Sequence, residues 1–273
     1  MKIILSRKGF DSTGENGGFP SPILPDGTLL SLPIPDGINA IAYEQLHYKG
    51  KSYADIISEL TNGKFLFKEC HLDPDIRKEV LTSRPDGWKA AFGQSGAARG
   101  HLKNKEVEVG DLFLFFGLFR QTEEINGKYQ FVKGTTPKHI IWGYLQIGEI
   151  IPEPTKEKYP WLIPHPHLDR IGKSNNTIFV ARDTLSWDKD KSGASSLTYR
   201  PELVLTKEGC SLCSCWQLPD FMKEADISYH SKDSWKNGYF QSVGRGQEFV
   251  ITLNKENLLQ NWASNMIEAK DFT

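Results

Sequence analysis

The stretch Gly110-Asp111-Leu112-Phe113-Leu114-Phe115-Phe116 decides the fold class. A Gly-Asp turn opens into an apolar series that runs on to Phe119. A run of that length with no polar alternation fits a strand covered on both faces. Downstream, Asn126-Gly127 is a hairpin signal leading into Tyr129-Gln130-Phe131-Val132, and Ile140 to Ile151 supplies another strand. Residues 2–5, 177–181, 202–206 and 248–253 have the same character. Pro-Asp-Gly occurs at 25–27, 35–37 and 85–87, where proline presets φ and glycine accepts a positive φ. The first two of these turns bound a short strand from Thr28 to Ile34.

Helices are fewer. Tyr53, Ile56, Ile57 and Leu60 share one face, Ser52 is placed to cap that helix, and Asn62-Gly63 stops it. Asp73-Pro74 predicts a second helix start, with an N-cap followed by proline at the first helical position. Residues 255–269 carry Leu258, Leu259, Trp262 and Met266 along one stripe. Strands and helices are interspersed without a regular βαβ rhythm. The expectation is an α+β fold, with a mixed, mostly antiparallel sheet, a partly barrel-like core and flanking helices. Prolines at 152, 154, 160, 164 and 166 mark either a stiff surface connection within a single domain, 1–273, or the seam between two lobes.

Composition narrows the function classes. Hydrophobic residues make up 38% and charged residues 25% of 273, which fits a globular chain and excludes a disordered one. The net charge of −1 and absence of a basic run remove the footprint of a non-specific duplex binder. The apolar run of 112–119 falls far short of the ~20 residues that cross a bilayer. Met1-Lys2-Ile3-Ile4-Leu5-Ser6-Arg7 lacks the apolar core of a signal peptide. Four cysteines, three of them between 210 and 215, do not form a secreted disulfide framework. A cytoplasmic location without a membrane partner is expected.

Several clusters carry candidate chemistry. Cys70-His71-Leu72-Asp73-Pro74-Asp75 places a thiol, an imidazole and two carboxylates within six residues, a set suited to metal binding or acid–base work. Asp73 also reads simply as a helix cap. Cys70 as a nucleophile needs its pKa lowered by His71, yet strand neighbours point to opposite faces. Cys210-Ser211-Leu212-Cys213-Ser214-Cys215 lacks the second compact ligand pair of a zinc site, and reads as small cysteines on an irregular segment. His165-Pro166-His167, on an exposed proline-rich loop, can point both rings one way toward a metal or phosphate. Gly93-Gln94-Ser95-Gly96-Ala97-Ala98 is a turn able to offer backbone N–H groups to an anion, with Arg84, Arg99 and His101 nearby in sequence. Arg245-Gly246-Gln247-Glu248 combines groups that read a base edge with a carboxylate. G-x-S-x-G, H-E-x-x-H and G-x-G-x-x-G do not occur. No metal is assigned and no cofactor is indicated.

Taken together, Ser6-Arg7-Lys8-Gly9-Phe10-Asp11-Ser12, Pro20-Ser21-Pro22-Ile23-Leu24-Pro25-Asp26-Gly27, the 70–75 cluster, Phe92 to Ala98, Gly110 to Phe116 and Arg245 to Val250 form a pattern. The chain resembles, over nearly its whole length, the third type of nucleotide modification associated domain. That resemblance implies an α+β domain of bacteria and phages found among systems that modify DNA bases, whose components become expected partners. It implies a nucleotide or nucleic-acid base as ligand. Carried over position by position, it points to Arg7, Asp11, His71, Asp73, Gln94, Arg245 and Glu248. The middle segment, from Gly110-Asp111 through Trp142-Gly143-Tyr144, is also similar to strands of PUA-like domains, which hold RNA or a modified base.

Two readings follow. An enzyme would use His71, Asp73 or Glu248 in catalysis, with Arg7, Asp11, Gln94, Arg245, Gln247, His165 and His167 binding the ligand. A reader of modified bases would instead use an aromatic cage of Trp88, Trp142 and Trp161. A sensor of a small metabolite is a third reading, outside nucleotide chemistry.

Overall fold

The apolar series at Leu112 forms the first half of a strand of fourteen residues, Leu112–Ile125, in a computed structural model that describes residues 1–10, 19–36, 40–65, 68–170, 175–244 and 248–268. That strand pairs antiparallel with Lys138–Pro152, from Phe119 opposite Lys138 to Leu112 opposite Gln146. Residues 112–119 are buried without a break because both faces are covered by rings. Phe113 and Phe115 pack on Phe92 and Phe179 on one face, and Phe116 packs on Trp216 and Phe249 on the other. Each fully buried ring contributes roughly 1.5–3 kcal/mol of hydrophobic stabilisation. Asn126 and Gly127 take φ of 53° and 74°, the left-handed pair that a tight hairpin requires, and Lys128–Phe131 returns along the strand.

Ten strands make the main sheet. The order along it is Asp226–Ile227, Glu248–Thr252, Ile3–Arg7, Leu112–Ile125, Lys138–Pro152, Thr177–Ala181 and Ala91–Gln94. Ser21–Ile23, Lys128–Phe131 and Ala194–Ser196 attach to the two long strands. Ile3–Arg7 and Ser21–Ile23 run parallel to Leu112–Ile125, and the other pairings described in this sheet are antiparallel. The fold is therefore α+β with a mixed, mostly antiparallel sheet. Its two outermost strands do not pair with each other among the described residues, so the core is not a closed barrel.

Among the described residues, three α-helices flank the sheet: α1, Tyr53–Thr61; α2, Gly96–Asn104; and α3, Glu256–Ile267. Ser52 Oγ accepts the Asp55 N–H at 3.0 Å to cap α1, and Asn62 ends it in the left-handed region. Its apolar face joins Phe10, Tyr43 and Cys70 in a second core. Leu259, Trp262 and Met266 of α3 pack into the main core. None of the described helices is long and apolar enough to cross a membrane.

Three expectations change. No helix starts at Pro74, because the Asp75 backbone pairs with Ala91 through two 2.9 Å hydrogen bonds and stays extended. Thr28 to Ile34 is not one strand: Thr28 bridges Thr198, Leu29 bridges Ile23, and Ile34 pairs with His71. The 202–206 segment is a 3-10 turn, Pro201–Leu203, followed by single bridges to Ile140 and Trp216.

Candidate functional site

The site begins with the short strand Glu69–His71, held between Ile34–Pro35 and Ile41–Ala42. Alternation turns Cys70 into the second core and His71 to the opposite side. Cys70 is wholly buried and its thiol donates to the Ile41 carbonyl at 3.3 Å. Burial, reinforced by the negative charges of Asp36 and Glu69, pushes the thiol well above its ordinary pKa. It stays protonated and is not a nucleophile.

Asp73 lies where three histidines meet. Its Oδ1 accepts the Gly93 N–H at 2.7 Å, so the anion offered to this glycine-rich segment is the protein's own carboxylate. His71 Nε2 and His167 Nε2 each stand 3.9 Å from Asp73 Oδ2, and His165 Nε2 stands 3.4 Å from Oδ1. His165 and His167 are only 3% exposed, which overturns the expectation of an exposed loop. Leu162 and Leu168 anchor the proline-rich segment against Ala91, Ile151, Ile178 and Val180 and carry both histidines inward. The absence of a side chain at Gly93 admits the His167 ring, since a Cβ there would stand 2.3 Å from two ring carbons.

Hydrogen bonding fixes the protons. The Asn176 Nδ2 group donates to the His167 carbonyl at 2.8 Å, so Asn176 Oδ1 is the acceptor for His167 Nδ1–H, also at 2.8 Å. His71 Nδ1 donates to Asp36 Oδ2 at 3.0 Å. Both rings therefore carry the proton on Nδ1 and stand with a bare Nε2 near Asp73, that of His167 being the acceptor for Arg170. His165 is the reverse: its Nδ1 accepts the His167 backbone N–H at 3.2 Å, leaving the proton on Nε2. That Nε2 is buried without a hydrogen-bond partner, its approach to Asp73 being too oblique. Burial lowers His71, against the pull of Asp73 and Asp36, and lowers His167 to about 3 against that of Asp73. Burial raises the Asp73 carboxyl, but His165 and the neighbouring rings outweigh it and hold the group ionised. Arg170 Nη1 donates to His167 Nε2 at 3.0 Å from a partly exposed position. Among the described residues, His71, Asp73 and His167 are the set that brings three ligand atoms within 4.8 Å of one another.

The remaining candidates lie elsewhere. Glu248 is 1% exposed, and its Oε1 receives Lys8 Nζ at 2.8 Å, Gln94 Nε2 at 2.6 Å and Ser6 Oγ at 3.2 Å. Lys8 Nζ also sits 4.7 Å above the Phe92 ring. This group occupies the Phe92 and Gln94 face of the Ala91–Gln94 strand, whereas His167 covers the Ala91 and Gly93 face. Arg7, one residue before Lys8, points the other way, and its charge is felt at His139. Asp11, Arg245 and Gln247 lie outside the described residues. The tryptophans do not form one cage. Trp142 is 4% exposed and stacked on Phe115, while Trp88 carries Arg84 on its face. Asp75 is clamped by Arg84 at 2.6 and 2.7 Å.

Asp36, Arg170 and Asn176 complete the cluster and were missed from the sequence. Asp36 reads as the centre of a Pro-Asp-Gly turn, and nothing local marks the other two. Beside Asp73 is a cavity of about 30 Å³, lined among others by Gly9, Tyr53, Arg77 and Trp142, with room for a water or two.

The family model described as nucleotide modification associated domain 3 matches residues 2–252. No curated protein and no solved structure matches the chain.

Proposed function

The chain belongs to the nucleotide modification associated domain 3 family, and we propose that it is an enzyme acting on a nucleotide or nucleic-acid base, with its chemistry centred on Asp73 and the histidines around it. The observation that carries this reading is the buried, ionised Asp73 with two imidazole Nε2 atoms 3.9 Å from one of its oxygens. Packing alone gives no reason for such a set, because burying charge and unsatisfied polar atoms costs stability. Asp73, held by the Gly93 N–H and ringed by His71, His165 and His167, is the centre of that chemistry, and Arg170 at the rim is placed to hold a phosphate. The adjoining cavity is water-sized, so a base approaches from the Asp36 and Arg170 side rather than being enclosed. Glu248 moves from catalysis to support, since an oxygen that already accepts three hydrogen bonds is a poor proton acceptor. The enzyme reading is favoured over the reader because Trp142, one of the rings a cage needs, is packed in the core.

The test uses cells that express the native gene, the gene deletion, and Asp73→Asn. DNA, RNA and the nucleotide pool are digested to nucleosides and compared by mass spectrometry. A modified nucleoside present with the wild type and lost in both other strains is the expected result. Identical profiles with and without the gene overturn the enzyme reading. A nucleoside lost on deletion but kept by Asp73→Asn overturns the site.

A further inference from the structure

We infer that His71 Nε2, His167 Nε2 and Asp73 Oδ2 form a binding site for one divalent transition-metal ion, of the class of Zn²⁺ or Fe²⁺. The inference rests on the proposed function only in sharing its site, and its test reads metal rather than nucleotide.

The first argument is the tautomers. A metal-binding histidine presents one bare nitrogen and ties the other ring N–H to a carboxylate or carbonyl. His71 does so through Asp36 and His167 through Asn176, at 3.0 and 2.8 Å. The Asn176 amide is itself oriented by the His167 carbonyl, so the proton cannot simply move to the other nitrogen. Asp73 is tied in the same manner, its Oδ1 held by Gly93 N–H with Oδ2 turned to the rings. Each of the three ligands thus has one atom tied to the protein and a second near a common point, His167 Nε2 also accepting Arg170 Nη1 there.

A second and independent observation is His165. This ring is 3% exposed, and its Nε2 is aimed at Asp73 with no hydrogen-bond partner. Such an atom is costly in a finished polar network.

Size and donor type select the ion. Donors about 2.1 Å from one cation stand roughly 3.0–3.4 Å apart, so the 3.9 Å His–Asp separations, and the whole set lying within 4.8 Å, have to contract as the ion binds. Two imidazoles and one carboxylate suit zinc or non-haem iron and do not suit magnesium or calcium, which take oxygen ligands. Three protein ligands leave a position open, as at catalytic rather than structural sites. The guanidinium of Arg170 competes, because its Nη1 donates to the same His167 lone pair at 3.0 Å. Arg170 has to release that nitrogen for the ion to bind, and it sits at a partly exposed position.

The full-length protein is stripped with a chelator, checked for folding by circular dichroism, and titrated calorimetrically with Zn²⁺ and spectroscopically with Co²⁺. One ion per chain is expected, with visible Co²⁺ absorption bands showing nitrogen and oxygen ligation. Asp73→Asn and the pair His71→Ala with His167→Ala should each weaken binding at least ~100-fold, and Asn176→Ala by about 10–100-fold. Arg170→Ala, which removes a competitor, should bind equally well or more tightly. Cys210→Ser with Cys213→Ser should change nothing. Absence of stoichiometric uptake by the folded wild type overturns the proposal. So does uptake that survives loss of both histidines, uptake abolished by the cysteine pair, or binding lost in Arg170→Ala.

Discussion

Gly93→Ala adds one methyl group at the point where strand and histidine touch. The new Cβ would lie 2.3 Å from both Cγ and Cδ2 of His167 and 2.8 Å from its Cβ. Carbon atoms pack at about 3.5–4.0 Å, so the ring has to retreat by more than about 1 Å. It cannot do so while keeping its hydrogen bonds to Asn176 at 2.8 Å and Arg170 at 3.0 Å. Overpacking of this kind costs about 1–3 kcal/mol, and each lost hydrogen bond about 1 kcal/mol. Gly93 is not in the left-handed region, so alanine fits the backbone and recovers roughly 0.4–1 kcal/mol through the unfolded chain. The net expectation is a loss of about 2–4.5 kcal/mol.

Urea denaturation of four proteins isolates the contact: wild type, Gly93→Ala, His167→Ala and the double variant. With the ring removed, the two 2.3 Å contacts vanish and the 2.8 Å approach to the His167 Cβ stays, and Gly93→Ala should cost about 1 kcal/mol or less. An equal cost in both backgrounds would show that the penalty comes from somewhere other than the ring. A Gly93→Ala protein within ~0.5 kcal/mol of the wild type would show that the ring never depended on the glycine.

Two other perturbations test the surroundings. Asp75→Asn breaks a bidentate ion pair whose side chains are 3% and 4% exposed, and should destabilise by about 3–5 kcal/mol; a loss under ~1 kcal/mol in a thermal or urea melt would refute the clamp. His139 is buried, its Nδ1 accepts the Trp216 indole N–H at 3.0 Å, and burial together with the Arg7 charge lowers it to about 3 from 6.5. Below its unfolded value the unfolded chain binds a proton that the folded ring refuses, so stability falls as pH falls. From about pH 7.5 to about pH 5 this one group should remove about 2 kcal/mol, and His139→Gln should flatten the stability profile by that amount; parallel profiles would refute it.

What the sequence made legible is what local rules control. Ser52, Asn62 and the 53–60 stripe describe α1 because capping and periodicity act within one segment. Leu112 to Phe119 reads as a doubly covered strand because a continuous apolar run has few other solutions. The site was legible only in pieces. His71 with Asp73, and His165 with His167, were each visible as pairs, but 94 positions separate Asp73 from His167. What joins them is pairing of Asp75 with Ala91 and packing of Leu162 and Leu168, and neither has a local signature. The same long-range pairing removed the helix expected at Pro74. Prolines from 152 to 166 suggested surface, yet the two leucines among and after them decided the burial of the histidines.

The strand Ala91–Gln94 divides two buried polar groups that differ in kind. On the Phe92 and Gln94 side, Glu248 and Lys8 neutralise each other, and Gln94 and Ser6 complete the oxygen they share. That circuit is closed, and a structural role accounts for it without a ligand. On the Ala91 and Gly93 side, two imidazole Nε2 atoms stand 3.9 Å from one carboxylate oxygen, and a third stands 3.4 Å from the other without completing a hydrogen bond. Lone pair against lone pair is repulsive in a low-dielectric interior unless a positive charge or proton stands between them. Arg170 meets that need for His167, while His71 Nε2 stands 3.9 Å from Asp73. A proton or cation between His71 and Asp73 would relieve that repulsion, which is what the proposed ion supplies. It is for this reason that the chemistry is assigned to Asp73 rather than to Glu248, although both carboxylates are equally plain in the sequence.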